Sequence, residues 1–230
     1  MYLLGYDIGS SSIKACLVDA GTGKTVASDF FPKEEMPIMA AKPGWAEQDP
    51  TSWWDNLKLA HASVMRTSGV AAEDIKAIGI SYQMHGLVLV DKDQSVLRPS
   101  IIWCDSRAVS YGEKAFDAIG SKKSLARLLN SPGNFTAAKL AWVKDNEPEI
   151  YGKVDKFMLP GDYIGMRLTG ETAITVDDVS EGKNWDFMKG GISEEVMEYF
   201  GFDPSLVPDI RPVFGVQGEV SGAAAKELEL

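Results

Sequence analysis

Two short apolar runs, residues 2–8 and 15–18, flank the small polar segment Gly9, Ser10, Ser11 and Ser12. Runs joined in this way predict a tight β-hairpin whose tip carries hydroxyls and free backbone N–H groups. Gly21 and Gly23 supply the next turn, and residues 25–31 read as a third strand of the opening sheet. Residues 32–52 are rich in Pro, yet Met36, Ile38, Met39 and Trp45 give them apolar anchors, so an ordered excursion is expected. In 51–67, Trp54, Leu57, Ala60 and Val64 recur at helical spacing while Asn56, Lys58 and Arg66 take the remaining surface. That spacing predicts a helix entered at Pro50, and 75–81 returns to a strand. Hairpin, crossover helix and further strand together predict an α/β architecture with a mixed sheet.

The pattern continues in shorter pieces. Residues 87–90 with 96–97 predict a small hairpin around the polar turn 91–95, and 101–107 an apolar strand that stops on Asp105 and Arg107. Residues 107–130 read as helical with a break near Gly120, 130–134 as a loop, and Phe135, Ala138, Leu140 and Trp142 as the apolar face of another helix. A short helix at Pro148, a strand over 156–159 and a segment over 160–168 that starts as a loop and becomes helical follow, with Pro160 at a usual helix entrance and Gly170 just beyond the exit. The acidic stretch 173–185, with Thr175, Asp177, Asp178, Ser180 and Glu181, reads as a solvated loop or as a segment that orders a sugar. Ser193 opens a helix whose Val196, Met197, Tyr199 and Phe200 are expected to pack inward; 203–212 reads as an extended connector and 223–228 as a final helix.

A chain of 230 residues can bury a substantial core as one large domain or two small ones. A formal charge of -10 with no dense Lys/Arg run argues against a nucleic-acid backbone or an anionic membrane as partner, while leaving room for a local phosphate site. Cys16 and Cys104 lack any CxxC or Cys/His spacing, which points to a reducing, cytoplasmic setting without structural zinc. No apolar run is long enough to span a bilayer.

Candidate chemistry gathers at two places. Asp7 stands where the first strand gives way to the serine turn, either beside phosphate oxygens and a divalent cation or as a local cap of the turn. Gln83, His85, Asp105 and Arg107 lie near neighbouring strand ends, where open α/β sheets keep ligand sites, although a single His there can also be a packing residue. Asn134 either faces a ligand or caps the following helix.

The stretches Asp7 to Lys14, Trp45 to Pro50 with Trp53, and Trp103 to Arg107 resemble, in order, the N-terminal half of an FGGY-family carbohydrate kinase. Gln83, Met84, His85 and Gly86 are similar to the xylulokinase branch of that family. Asn134 to Lys139 before Trp142, and Pro160 to Tyr163 leading to Leu168 and Gly170, agree with the same resemblance.

The resemblance implies a ribonuclease-H-like lobe of the actin/hexokinase/Hsp70 superfamily, with a mixed sheet and additional α/β insertions around 82–170. Residues 1–230 would be the sugar-side domain. It further implies that Asp7 helps place Mg2+, that Gly9, Ser10, Ser11 and Ser12 face the phosphates of ATP, and that Lys14 is their electrostatic neighbour. Gln83, Met84 and His85 would line a D-xylulose site, with Trp103, Asp105, Arg107 and Asn134 extending or supporting its wall, and Glu47, Gln48 and Asp49 ordering the loop around the cleft.

The implied reaction gives D-xylulose 5-phosphate; another ketose or polyol, or sugar binding without catalysis, are the alternatives. A homodimer is among the assemblies open to the chain. At 175–186 the chain departs from the family pattern, with Glu181, Gly182, Lys183 and Asn184 where small residues are usual. The family's catalytic base and adenine site belong to a second domain with no counterpart before Leu230, so residues 1–230 are expected to have negligible activity alone.

Overall fold

A computed structural model describes residues 1–230. Strict alternation along β1 (Tyr2–Ile8) buries Leu4, Tyr6 and Ile8 and leaves Leu3, Gly5 and Asp7 on the opposite face. β2 (Ile13–Asp19) returns antiparallel with Lys14 opposite Asp7, and β3 (Thr25–Phe31) adds to its far edge. Residues 32–49 then leave the sheet and contribute only β4 (Glu47–Gln48). The helix α1 (Pro50–Ser68) begins where Asp49 accepts from Thr51 N and ends at Gly69, whose φ of 63° suits the left-handed cap. Its apolar face of Trp53, Trp54, Leu57, Ala60 and Val64 covers the sheet. β5 (Ile75–Tyr82) comes back parallel to β1, giving the order β3-β2-β1-β5 and the mixed sheet expected.

Beyond it follow β6 (Val88–Val90), β7 (Ser100–Ile101), α2 (Val109–Ile119), α3 (Ser121–Arg127), α4 (Thr136–Asn146), α5 (Pro148–Tyr151), β8 (Lys156–Met158) and α6 (Pro160–Thr169). The chain closes with β9 (Ala173–Thr175), α7 (Val176–Glu181), β10 (Trp185–Asp186), β11 (Gly191–Ile192), α8 (Glu194–Phe200), β12 (Asp209–Arg211) and α9 (Gly222–Leu228). β6 and β8 pair antiparallel and form a wall between two cores. Val88, Val90 and Met158 face the core under the main sheet, whereas Leu87, Leu89, Phe157 and Leu159 face a second core with α4. Tyr82 packs against both cores, so the end of β5 lies at their junction.

Several expectations change. The hairpin over 87–97 forms as a short one, with Leu97 N donating to Leu89 O at 2.9 Å and a single bridge from Val90 to Val96, while the other edge of β6 pairs along β8. The strand over 101–107 stops at Ile101: the Asp105 carboxylate accepts from Arg107 N at 2.8 Å, and such local bonds compete with a ladder. Ile38 and Met39 are nearly half exposed, leaving Met36 as the buried anchor of the excursion. Tyr199 likewise stays 40% exposed. The acidic stretch 173–185 is not a solvated loop but β9 and α7, with Asp178 buried. The connector 203–212 carries β12, which pairs parallel with β9.

Asp162, in the first turn of α6, accepts from Leu159 N at 2.8 Å. Burial pushes its carboxyl up to about 8 against the hydrogen bonds from Leu159 and Thr175. A carboxyl raised on folding binds more protons in the native state. Its stabilisation is therefore complete below the unfolded value of about 4 and lost as pH rises through 8. Burial also raises Asp178 to about 6, with the same sign. Urea unfolding should show stability falling from pH 6 to pH 8, and Asp162→Asn should flatten that fall; equal slopes for the two proteins would refute the assignment.

Candidate active site

The hairpin expected from the serine turn places Asp7 between two neighbours fixed by sheet register, Lys14 on β2 and Ser81 on β5. Lys14 Nζ lies 2.9 Å from Asp7 Oδ2, and Ser81 Oγ donates to Asp7 Oδ1 at 3.3 Å. The carboxylate remains 42% exposed. At the tip, Gly9 N donates to Ser12 O at 3.2 Å; a Cβ on Gly9 would come within 2.8 Å of that oxygen, so the turn requires glycine. Gln48 Nε2 donates to Ser10 O at 2.7 Å, Met36 N to Ser11 O at 2.8 Å and Trp103 Nε1 to Ser10 Oγ at 3.3 Å. These bonds fix the tip through its oxygens, while the N–H groups of Ser10, Ser11 and Ser12 donate to no acceptor in the chain. Unsatisfied amides in a tight turn beside a lysine suit an anion.

No group of three or more His, Cys, Asp or Glu is arranged to hold a metal ion. Asp7, accessible and with Ser81 as its only hydroxyl neighbour, fits a cation of the Mg2+ kind, which keeps several waters and arrives with phosphate ligands.

Because β1 and β5 run parallel, their ends adjoin, and Gln83 N donates to Ile8 O at 2.9 Å. Gln83 Nε2 reaches Gln48 Oε1 at 3.4 Å, which also accepts from Trp53 Nε1 at 3.2 Å. Gln48 thus joins the hairpin tip, α1 and the end of β5. Met84 and Trp103 are 56% and 48% exposed and present apolar surface beside these groups.

His85 adopts φ 60°. Its N–H donates to Glu181 Oε1 at 2.8 Å, its ring Nδ1 contacts the same oxygen, its carbonyl accepts from Lys139 Nζ at 2.5 Å, and its ring packs T-shaped with Phe135 at 4.2 Å between ring centres. Burial lowers Lys139 to about 8, although Asp105 and Glu181 pull the other way. Burial raises Glu181, but the bonds and charge of His85 outweigh it and hold the carboxyl low.

Asp105 and Arg107 lie under the wall, not in it. Asp105 is fully buried, accepting from Ala46 N at 2.6 Å and from the Arg107 guanidinium at 2.7 Å. The Arg107 side chain, 1% exposed, stacks 3.8 Å from the Trp45 ring and reaches Glu47 at 2.6 Å. Neither side chain offers a ligand an open face. Asn134 Nδ2 donates to the Asp105 carbonyl, and its Oδ1 is buried without a partner.

Sequence reasoning named Gln48 only as part of a loop, and it gave no role to Lys139 or to the Glu181 contact. Nothing in their spacing brings residues 54 and 96 positions from His85 to its side. A cavity of about 1110 Å³ lies elsewhere, along the outer edge of β5 against α6 and residues 213–220.

The model of the FGGY family of carbohydrate kinases, N-terminal domain, matches residues 2–229. The chain belongs to that family. It is 34% identical over 229 residues to the xylulose kinase of Klebsiella pneumoniae, covering 98% of this chain and 45% of that protein. The structure of xylulose kinase from Rhodospirillum rubrum superposes with a TM-score of 0.89 at 31% identity, over 100% of this chain and 46% of that one. Gluconate kinase from Lactobacillus acidophilus, at 24% identity and a TM-score of 0.88 over 100% and 45% of the two chains, shares the fold. The chain therefore spans slightly under half the length of the FGGY relatives it matches. The mixed sheet with helical insertions is that family's fold. No helix is long and apolar enough to cross a membrane.

Proposed function

We propose that residues 1–230 are the sugar-side domain of an ATP-dependent kinase that converts D-xylulose to D-xylulose 5-phosphate, with ADP as the second product. The observation that carries this reading is the meeting, at the adjoining ends of β1 and β5, of an accessible carboxylate, a hairpin tip with unused amides and a wall of Met84, His85 and Trp103. Asp7 would hold Mg2+ with the nucleotide phosphates, and the amides of Ser10, Ser11 and Ser12, with Lys14 nearby, would receive phosphate oxygens. The ion would offset negative charge on the transferring phosphoryl group. Gln83 and His85 would hydrogen-bond sugar hydroxyls, with Met84 and Trp103 against the carbon skeleton. Asp105, Arg107 and Asn134 would support that wall from beneath.

The group that accepts the hydroxyl proton and the adenine site would be carried outside residues 1–230, so this domain by itself would turn over negligibly. Similarity to xylulose kinases at 31–34% identity supports a ketose over a polyol. A full-length protein assayed with Mg2+ and ATP against D-xylulose, L-xylulose, ribulose, glycerol and gluconate should prefer D-xylulose in kcat/KM. His85→Ala should raise its KM far more than it lowers kcat. A large preference for any other substrate would reverse the sugar assignment, and saturable binding without turnover would make the protein a sensor.

A further inference from the structure

The ring of His85 has two of its approaches occupied by the chain. Nδ1 lies against the Glu181 carboxylate and Phe135 packs T-shaped on the ring, with Lys183 Nζ in turn 4.5 Å from the Phe135 ring centre. Nε2 makes no hydrogen bond within the chain, and the side chain is 23% exposed. Main-chain bonds pin the same residue from both sides, to Glu181 through its N–H and to Lys139 through its carbonyl. A non-glycine residue at φ 60° is strained and persists only where its surroundings hold it, as these two bonds do.

Glu181 is itself firmly held. It ends α7, whose first turn is capped by Thr175, and the next residue's carbonyl, Gly182 O, accepts from Ala137 N at 3.0 Å and ties α7 to α4. A shorter side chain at position 181 could not reach the imidazole.

We propose that Glu181 is the positioning residue of His85: its carboxylate keeps the imidazole proton on Nδ1 and so presents Nε2 as the hydrogen-bond acceptor for a ketose hydroxyl. A carboxylate can only accept, so the nitrogen against it carries the proton, and in the neutral ring the opposite nitrogen keeps its lone pair; a ring charged at both nitrogens would offer Nε2 as a donor and overturn the assignment. The two lysines, at the carbonyl of His85 and beyond Phe135, and Asp178, one turn before Glu181, complete the charged surroundings. Selection of a hydroxyl donor at Nε2 rests on the kinase reading above; the tautomer does not.

The two histidines make the test direct. Long-range 15N–1H correlation spectra of the chain should show His85 with its proton on Nδ1, and Glu181→Gln should convert part of it to the Nε2–H form. The Tyr6 and Leu228 partners of His61 are untouched by that change, so His61 should be unaltered. In the full-length protein, E181Q should raise the KM for D-xylulose by about 10-fold, the scale of one lost hydrogen bond to an oriented group, with a smaller effect on kcat.

A wild-type His85 protonated on Nε2 would overturn the proposal, and that measurement needs no variant to fold. So would an E181Q protein with the tautomer changed and KM unchanged. A wild-type protein that phosphorylates none of the sugars would count against the kinase reading instead, leaving the tautomer to decide the role of Glu181.

Discussion

Asp7→Asn in the full-length protein should lower kcat by about 100-fold or more at saturating Mg2+, ATP and sugar, with the unfolding midpoint close to wild type. The expectation follows from where the side chain stands. Asp7 points away from the core, 42% exposed, at the end of a strand whose buried residues are Leu4, Tyr6 and Ile8. Its partner Lys14 is more exposed still, and ion pairs of that kind contribute little to folding. Asparagine keeps the shape and can still accept from Ser81 Oγ, but it removes the negative charge that would hold Mg2+ beside the transferring phosphate. Steady-state turnover and urea unfolding of the same preparation separate the two roles. A well-folded D7N protein with near-wild-type turnover would show that Asp7 merely braces the hairpin, whereas an equal loss of stability and activity would make it a structural residue.

Trp53→Ala should destabilise the chain by about 3–5 kcal/mol. Trp53 is fully buried, lies edge-on to Tyr163 at 6.4 Å between ring centres, and donates from Nε1 to Gln48 Oε1 at 3.2 Å. Truncation leaves a cavity between α1 and α6 and also removes a donor from the residue that grips Ser10 O. Trp53→Phe retains most of the packing and loses only the donor, so its cost should be nearer 1 kcal/mol. The difference between the two variants in denaturant unfolding measures the packing part. A loss below 1 kcal/mol for W53A would mean that the site collapses around the missing ring.

Elements with complete local signals were legible in the chain itself. The apolar runs at 2–8 and 15–18, the serine turn and the third strand correspond to β1, β2 and β3, and the spacing of Trp54, Leu57, Ala60 and Val64 to α1. Pro160 and Gly170 stand at the two ends of α6, where a fixed φ and a left-handed cap are required. The parallel return of β5 beside β1 followed from the crossover helix, and it alone brings Asp7 close to Gln83 and His85. Local chemistry thus determined the main sheet and the neighbourhood of the candidate site.

The remainder depended on partners distant in the chain. Nothing within 87–97 specifies that the free edge of β6 pairs with β8; burying Leu87 and Leu89 on one side and Val88 and Val90 on the other, between two cores, requires that second partner. Polar residues were harder still, because a carboxylate or guanidinium carries no periodic signal of its direction. Asp105 and Arg107 read as extending or supporting the wall, and only the enclosure by Trp45, Ala46 and Glu47 from another segment shows that they stand beneath it. Glu181 read as part of a solvated loop or of a segment that orders a sugar, and nothing in the sequence showed that it reaches His85 across 96 positions. The sequence by itself determined which strands and helices form and which residues stand at their ends. Only the tertiary structure decided which of those polar ends face one another, since a hydrogen bond or ion pair depends on a few ångströms of separation that no local pattern encodes.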